Sequence, residues 1–329
     1  QIFQICVLNC HKRDLLSHPR RAYRIFMLQT RNDTTNASAD TRFERLENLL
    51  TAAHKAGADA CEAVFAESRS LSVGVRKGTV ETVERDENSD LGLRVFVGQK
   101  QAVVSVSEFS QATLDRLVER AVAMAKLAPD DAYAGLADPT LLYKGEPVDL
   151  QLFDDTHLSA ESLQQRALDI EAAGLSIGND ALQSDAASTG YVQNQWSMLT
   201  SGGFRGHHQS SLFFQSGRYI ATDAEGNMER DGEGRSVRFA SDLPDVSDTG
   251  RIAAERALAA LGGRKIETQK ATVIFDKRIA KSLISQFIGA ISGTMIARGS
   301  SFLKDRLGQQ LFDSSVQIID NPLRVRGLG

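Results

Sequence analysis

The chain has 329 residues, of which 42% are hydrophobic, and its formal net charge at pH 7 is −4. This length and composition predict a folded globular protein with two or more domains. Acidic and basic residues interleave along the chain, which argues against direct binding to nucleic acid, and no apolar run approaches the ~20 residues that would cross a membrane.

The N-terminal region differs in character from the rest of the chain. A polar stretch rich in Asn, Thr and Ser runs from Gln29 to Thr41, shortly after the methionine Met27. We expect residues 1–41 to be a disordered or artefactual leader, and the alternative is an appended segment with a role of its own. The three cysteines form no disulfide framework, which fits a reducing, cytoplasmic compartment.

Residues 42–130 predict an N-terminal α+β domain. Apolar residues recur at helical spacing from Arg42 to Gly57 and again from Gln111 to Ala128. Between these helices, alternating apolar residues predict strands, with hairpin turns at Lys77-Gly78 and Gly98. The predicted strands are Ala60 to Glu67, Ser70 to Arg76, Thr79 to Arg85, Leu91 to Val97 and Ala102 to Val106.

Residues 131–265 predict a linker followed by a β-rich central domain. The linker spans Ala132 to Phe153, and a helix from Ser159 to Ala173 follows, for which Ser159 is the expected capping residue. Short runs between Ala181 and Phe239 are typical of antiparallel strands. Their expected turns are at Gly202-Gly203, Gly217 and Glu225 to Asn227.

The last part of the chain begins with a helix predicted from Thr249 to Leu261. The apolar run Ala271 to Phe275 then predicts a buried strand, and Ala280 to Ile296 predicts one long helix. We expect residues 266–329 to be the beginning of a further α+β domain. The whole chain is therefore assigned to the α+β class.

Five aromatic residues in the β-rich segment form a candidate peptide cleft. An extended peptide could bind there by adding a strand to an exposed sheet edge. The alternative is that they are ordinary core aromatics packed against the sheet. These residues are Trp196, Phe204, Phe213, Phe214 and Tyr219.

The segments Gly57 to Ala60, Leu91 to Val97 and Ile279 to Gly308 resemble the TldD/PmbA family, whose members are also called modulators of DNA gyrase. Within the last of them, Ser301-Phe-Leu and Leu307-Gly308 are the most specific residues. The resemblance covers residues 43–329. The family's sequences continue past Gly329, so the resemblance implies a C-terminal domain that is incomplete in this chain.

In that family the catalytic subunit carries a zinc-binding His-Glu-x-x-x-His helix and pairs with a homologous subunit, PmbA or TldE, that lacks it. The equivalent hexad in this chain falls near Ile288 to Gly293 and reads Ile-Gly-Ala-Ile-Ser-Gly. The lost ligand positions are Ile288, Gly289 and Gly293. None of these residues offers the imidazole, carboxylate or thiolate that zinc requires.

The resemblance therefore implies a PmbA/TldE-type subunit of a cytoplasmic, heterodimeric metalloprotease, without catalytic residues or a cofactor of its own. Its implied partners are a TldD-like catalytic paralogue, which would hold the zinc, and unfolded peptides. One alternative is a self-associating regulatory or binding protein that acts without protease activity, for example on DNA gyrase. A peptidase with an unrecognised site is a weaker alternative, because the sequence shows no ligand set for it.

Overall fold

The computed structural model describes residues 36–146, 148–177 and 180–328. Helix α1 spans Asn36–Lys55, so it begins within the segment expected to be a leader, and the rest of that segment lies outside the described residues. Two compact units divide the described chain, one formed by residues up to 263 with 322–328 and the other by residues 264–321. No described helix is both long and apolar enough to cross a membrane.

One six-stranded antiparallel sheet forms the centre of the larger unit, in the order β3-β2-β1-β4-β5-β6. Strands β1 and β4 pair along fourteen residues, which joins the segment predicted as N-terminal domain to the segment predicted as central domain. The α+β class is confirmed. The strands are β1 Ala60–Arg76, β2 Thr79–Val97, β3 Lys100–Val106, β4 Leu182–Thr200, β5 Arg205–Thr222 and β6 Met228–Val237.

Four helices cover a single face of this sheet. Side chains at odd positions of β1 point to one side, because successive residues of a strand alternate between faces. Cys61 and Ala63 pack against α1 and against α2, which spans Gln111–Leu127. Farther along the same strand, Val73 packs against α3, Ala160–Leu175, and the helix α4, Val246–Ala259, covers β5. We call this side the helix face and the other side the open face.

The strands of the larger unit are longer than predicted, because the four strands predicted between Ala60 and Val97 form two continuous ones, β1 and β2. The hairpin at Lys77 and Gly78 is confirmed, and both residues have positive φ, 53° and 75°. Gly217, predicted as a turn, lies inside β5. A Cβ atom there would lie 2.9 Å from Cγ2 of Ile170, so this glycine admits the close approach of α3 to the sheet.

The smaller unit contains α5, Lys277–Ile291, and α6, Gly293–Ala297. The single helix predicted from Ala280 to Ile296 is therefore wrong. Ser292 separates the two helices with an extended backbone, ψ 131°. Gly289 and Gly293, which lie before and after it, have low helix propensity. The strand predicted over Ala271 to Phe275 is also wrong, because no described strand pairs with it and Ile274 is 90% exposed.

Candidate functional site

The hexad that the sequence resemblance matches to the zinc motif, residues 288–293, lies across the break between α5 and α6. Ile288 is near the end of α5 and is 56% exposed, while Gly293 is the first residue of α6. Open space surrounds the Cβ positions of Gly289 and Gly293. No group of three or more His, Cys, Asp or Glu side chains in the described ranges could hold a metal ion.

The loop after α6 is fastened to the end of α5 by Ser301. Its hydroxyl donates a hydrogen bond to the carbonyl oxygen of Ala290 at 2.6 Å and accepts one from the backbone N–H of Leu303. The ring of Phe287 meets that of Phe312 edge to face, with centroids 5.4 Å apart. The Ser301-Phe-Leu motif thus holds the scaffold around the hexad, although the hexad itself bears no metal-binding side chain.

Three of the five predicted cleft aromatics lie on the open face of the sheet. Trp196 pairs across the strands with Ala66 and His208, and its ring lies 5.5 Å from the His208 ring. Phe204 occupies the space where a side chain of Gly206 would stand, since a Cβ there would lie 2.6 Å from its ring.

Phe214 is placed in the same manner over Gly190. A Cβ atom on Gly190 would lie 2.6 Å from the Phe214 ring and 2.7 Å from the carbonyl oxygen of Leu71. The two glycines, at 190 and 206, therefore let aromatic rings approach the strands closely. We call the open-face side chains of Trp196, Phe204, His208 and Phe214 the aromatic patch. Phe214 lies six residues along β5 from His208, with Ser210 and Leu212 between them on the same face.

The other two predicted cleft residues, Phe213 and Tyr219, belong to the core, and their assignment to a cleft is wrong. Both are 0% exposed and lie on the helix face. Phe213 stacks on Tyr191, and the Tyr219 hydroxyl donates a hydrogen bond of 2.6 Å to the carbonyl oxygen of Ile170. Burial raises the pKa of Tyr219, so its hydroxyl stays protonated. Adjacent strand residues face opposite sides, so Phe213 and Phe214 cannot both line one surface.

The histidine doublet in β5 is divided between the two faces. His208 lies on the aromatic patch, where burial, and secondly the charge of Arg238, lowers its pKa. Nδ1 of His207 is 3.1 Å from Oγ of Ser197 on the other side of the sheet, and burial also lowers the pKa of this histidine. Both imidazoles are therefore uncharged near neutral pH, and they cannot chelate one ion together.

The Ser197 and His207 pair has the residue types of a nucleophile and its base, but it lies in the wrong place for catalysis. Ser197 is 0% exposed, and the pair is beneath the helices. A substrate could not reach the hydroxyl without unfolding this part of the protein. The aromatic patch, in contrast, is accessible. It suits contact with an extended chain and performs no chemistry of its own.

Sequence reasoning identified the aromatic residues of the patch but missed His208, Gly190 and Gly206. A signal for His208 and Gly206 exists in the period-2 alternation of β5, whose even positions include Gly206, His208 and Phe214. Their significance depends on the register, because Phe214 faces Gly190 only when the two strands pair at that position.

Comparison with known proteins places this architecture in a family. Three family models match the chain in order: PmbA/TldA metallopeptidase domain 1 over residues 61–125, the central domain over 153–261 and the C-terminal domain over 268–329. The chain belongs to the PmbA/TldD family. The aromatic patch lies within the central-domain match, and the hexad lies within the C-terminal match.

Two curated PmbA/TldD relatives are similar along most of the chain. Metalloprotease PmbA of Escherichia coli O157:H7 is 31% identical over 82% of this chain and 60% of its own length. The Metalloprotease PmbA homolog of Haemophilus influenzae is 32% identical over 84% of this chain and 60% of its own length. The chain thus spans about 60% of the length of these relatives.

Solved structures of the family share the fold. A modulator of DNA gyrase from Bacteroides thetaiotaomicron matches with a TM-score of 0.76 and 22% identity, over 82% of this chain and 61% of its own. TldE from Thermococcus kodakarensis matches with a TM-score of 0.65 and 15% identity, over 79% and 58%. At these identities the likeness concerns the fold alone.

Proposed function

We propose that this chain is the PmbA/TldE-type, metal-site-lacking subunit of a cytoplasmic TldD/TldE-type heterodimeric metalloprotease that acts on unfolded peptides. In this proposal the catalytic zinc belongs to a TldD-like paralogue. The present chain contributes the partner scaffold and a surface for the peptide.

The observation that carries the proposal is the composition of the hexad. Zinc in a hydrolase needs three protein ligands from His, Asp, Glu or Cys, an open position for water and a general base nearby. By the sequence resemblance, Ile288, Gly289 and Gly293 take the positions at which the family's catalytic subunit has His, Glu and His. Aliphatic and glycine residues at these positions supply neither a ligand nor a base.

The aromatic patch supports the peptide part of the proposal. Trp196 and Phe214 are partly exposed on the open face, where the neighbouring positions include the polar residues Ser68, Ser70, Asn194 and Ser210 as well as the apolar residues Val192, Met198 and Leu212. Aromatic rings can cover the apolar parts of many different peptide side chains, while Ser and Asn can form hydrogen bonds with the peptide backbone. Such a surface favours unfolded chains of varied sequence.

A second candidate function is that of a self-associating regulatory protein without protease activity. It is favoured by the fold shared with solved proteins that bear the name modulator of DNA gyrase, from Bacteroides thetaiotaomicron and Thermotoga maritima. The two candidates differ in whether a zinc-bearing paralogue accompanies the chain.

The decisive experiment is a pull-down of the tagged protein from its native cytoplasm, with mass spectrometry of the partners and zinc analysis of the eluate. We expect a co-eluting paralogue with a His-Glu-x-x-x-His motif, stoichiometric zinc and chelator-sensitive cleavage of an unfolded peptide. The matched control is the same complex with both histidines of the paralogue replaced by alanine.

Two results would contradict the proposal. A zinc-free homo-oligomer without the paralogue would favour the regulatory protein. Zinc-dependent cleavage by the isolated chain would show that it is itself a peptidase.

A further inference from the structure

The outer half of strand β2 has a free edge. Strand β3 pairs only with Leu91–Val97, whereas the preceding residues, Thr79 to Asp90, pair with β1 on one side alone. Within the described part of the chain, no backbone hydrogen bond joins their other side to any segment. An unpaired edge of this kind presents a row of N–H and C=O groups that can accept an added strand.

Neither face of this half-strand is covered. Every residue from Thr79 to Asn88 is exposed, including Val83, which is 56% exposed. The facing half of β1 differs, because Val73 and Val75 are almost completely buried under α3. The edge is therefore held in place by a packed neighbour and remains open to a ligand.

The charges of the edge are distributed unequally between its two faces. On the side of the helix face, Arg85 pairs with Glu87 at 2.6 Å. On the open face, Glu84, Asp86 and Asp90 form no ion pair with any other described residue. Asp86 accepts a hydrogen bond from the Asn88 amide, and Asp90 accepts one from a serine hydroxyl, Ser107, both of which are neutral donors.

The strand register shows where a counter-charge could come from. The β1 residues opposite Glu84 and Asp86 are Ser72 and Ser70, and the residue opposite Asp90 is Ala66. None of these side chains is a cation. Ser107, which follows β3, already lies beside Asp90 on the outer side of β2. For Glu84 and Asp86, the cross-strand position that remains for a cation lies on that outer side.

We propose that residues 79–90 of β2, which we call the acidic edge, bind an extended basic segment of another polypeptide as an added strand. Lysine or arginine residues at alternate positions of that segment would lie opposite Glu84 and Asp86. A second copy of this chain does not fit, since pairing two acidic edges would bring like charges together.

This proposal shares with the proposed function only the ligand class, an extended peptide. It needs neither the paralogue nor zinc, so a test on the chain alone separates the two. Failure of the strand addition leaves the proposed subunit role intact, and failure of the subunit role leaves the acidic edge unchanged.

The test is a titration of the 329-residue chain with a synthetic peptide that alternates Lys with Thr, compared with a peptide that alternates Glu with Thr. We expect only the lysine peptide to bind, with an affinity that falls as salt is added. Glu84→Gln with Asp86→Asn should weaken binding roughly 2- to 30-fold, because two opposite-charge cross-strand pairs are removed.

A matched double variant controls for net charge. Asp130→Asn with Glu146→Gln removes the same two charges from exposed positions away from the acidic edge, and it should bind the lysine peptide as the unsubstituted chain does. Hydrogen exchange should show new protection of amides within residues 79–90 when the lysine peptide is bound.

Three outcomes would overturn the proposal. They are equal binding of the two peptides, an equal loss of affinity in both double variants, and new protection confined to segments outside residues 79–90. A fourth contrary result would be self-association of the free chain, measured by sedimentation, together with amide protection within residues 79–90. That result would assign the edge to a second copy.

Discussion

The carboxylate of Glu171 on α3 accepts hydrogen bonds from the backbone N–H groups of Lys77 and Gly78, at 2.7 and 2.6 Å. It also accepts a hydrogen bond from the hydroxyl of Ser184 on β4. Glu171 is 3% exposed, so one buried side chain fastens the tip of the β1–β2 hairpin to the helix layer and to a third strand. The acidic edge begins immediately after this tip.

Replacement of Glu171 by glutamine should destabilise the fold. The amide nitrogen of glutamine is a donor, so it cannot accept the N–H group of Gly78, and two donors would face each other beside a buried side chain. We expect a loss of about 2 to 3 kcal/mol in the free energy of unfolding, measured by urea denaturation. Asp169→Asn is the control, because it removes the same charge from an exposed position of α3. Equal losses in both variants would contradict this role for Glu171.

A second prediction concerns the contact between α3 and α4. A Cβ atom on Gly250 would lie 2.1 Å from the carbonyl oxygen of Ile170 and 2.9 Å from the backbone nitrogen of Gly174. Both neighbours are backbone atoms, which cannot rotate away. Gly250→Ala should therefore separate the helices and lower the thermal midpoint, with a cost of about 1 to 3 kcal/mol for overpacking.

Gly92→Ala is the matched control for that substitution. Gly92 lies in β2, and a Cβ atom added there would have no other atom within 4 Å. We expect its thermal midpoint to stay close to that of the unsubstituted chain. If Gly250→Ala were equally well tolerated, the helices would not depend on this close approach.

The local elements of the fold could be predicted from the sequence, whereas the joins between distant segments could not. The helix after Ser159 was predicted with that serine as its capping residue, and the Ser159 hydroxyl does accept a hydrogen bond from the N–H of Ser162. The pairing of β1 with β4 involves residues more than a hundred positions apart, and no local pattern encodes it. The two predicted β segments therefore could not be joined into one sheet.

The candidate site was predictable to the same limited degree. Period-2 alternation shows that Phe213 and Phe214 face opposite sides, but only the packing of α3 decides which side is buried. The pairs of Phe214 with Gly190 and of Trp196 with His208 depend on strand register. The role of Glu171 could not be predicted from the sequence, because it accepts hydrogen bonds from backbone groups in a turn, the farther of them ninety-four positions away.

The two histidines of β5 should make stability depend on pH. The pKa of His207 and that of His208 are lowered in the folded state, chiefly by burial. The unfolded chain then binds more protons below the ordinary histidine pKa of about 6.5, so stability is full above that pH and is lost as the pH falls toward the folded values. Arg42 strengthens the effect at His207 and Arg238 at His208, while Glu67 opposes it at His207.

Urea midpoints measured between neutral and mildly acidic pH check this prediction. The midpoint should fall as the pH is lowered, and His207→Gln with His208→Gln should reduce the slope. Each histidine contributes at most about 1.4 kcal/mol per pH unit. His157→Gln is the control, since it removes a histidine from an exposed position. An unchanged slope in the double variant would contradict the burial of the two imidazoles.

The aromatic patch can be tested with the protein's own fluorescence. Trp196 is the single tryptophan of the chain and lies on the patch. The wavelength of the Trp196 emission should shift when an unstructured synthetic peptide rich in apolar residues binds. Phe214→Ala should weaken that binding roughly 2- to 10-fold through loss of an aromatic contact.

The exposed aromatic Tyr133 supplies the control, because it lies outside the patch and is 85% exposed. Tyr133→Ala should bind the peptide with unchanged affinity. Equal effects of the two substitutions, or an emission that does not respond to peptide, would remove the patch as a peptide surface.

The last prediction concerns the hexad. Restoring it with Ile288→His, Gly289→Glu and Gly293→His should not create a peptidase. Open space at Gly289 and Gly293 admits the new side chains, so the reason is chemical and not steric. The restored histidines are divided by the break at Ser292, and no cluster of His, Cys, Asp or Glu among the described residues is placed to complete a zinc site with them.

Zinc analysis of the dialysed triple variant and a cleavage assay with an unfolded peptide check this expectation. The matched control places glutamine at the same three positions, which tests the effect of bulk without ligands. Stoichiometric zinc together with chelator-sensitive cleavage in the histidine variant alone would show that the missing ligands were the only barrier to catalysis. The absence of both in the two variants would mean that side chains at the hexad are insufficient without a further ligand.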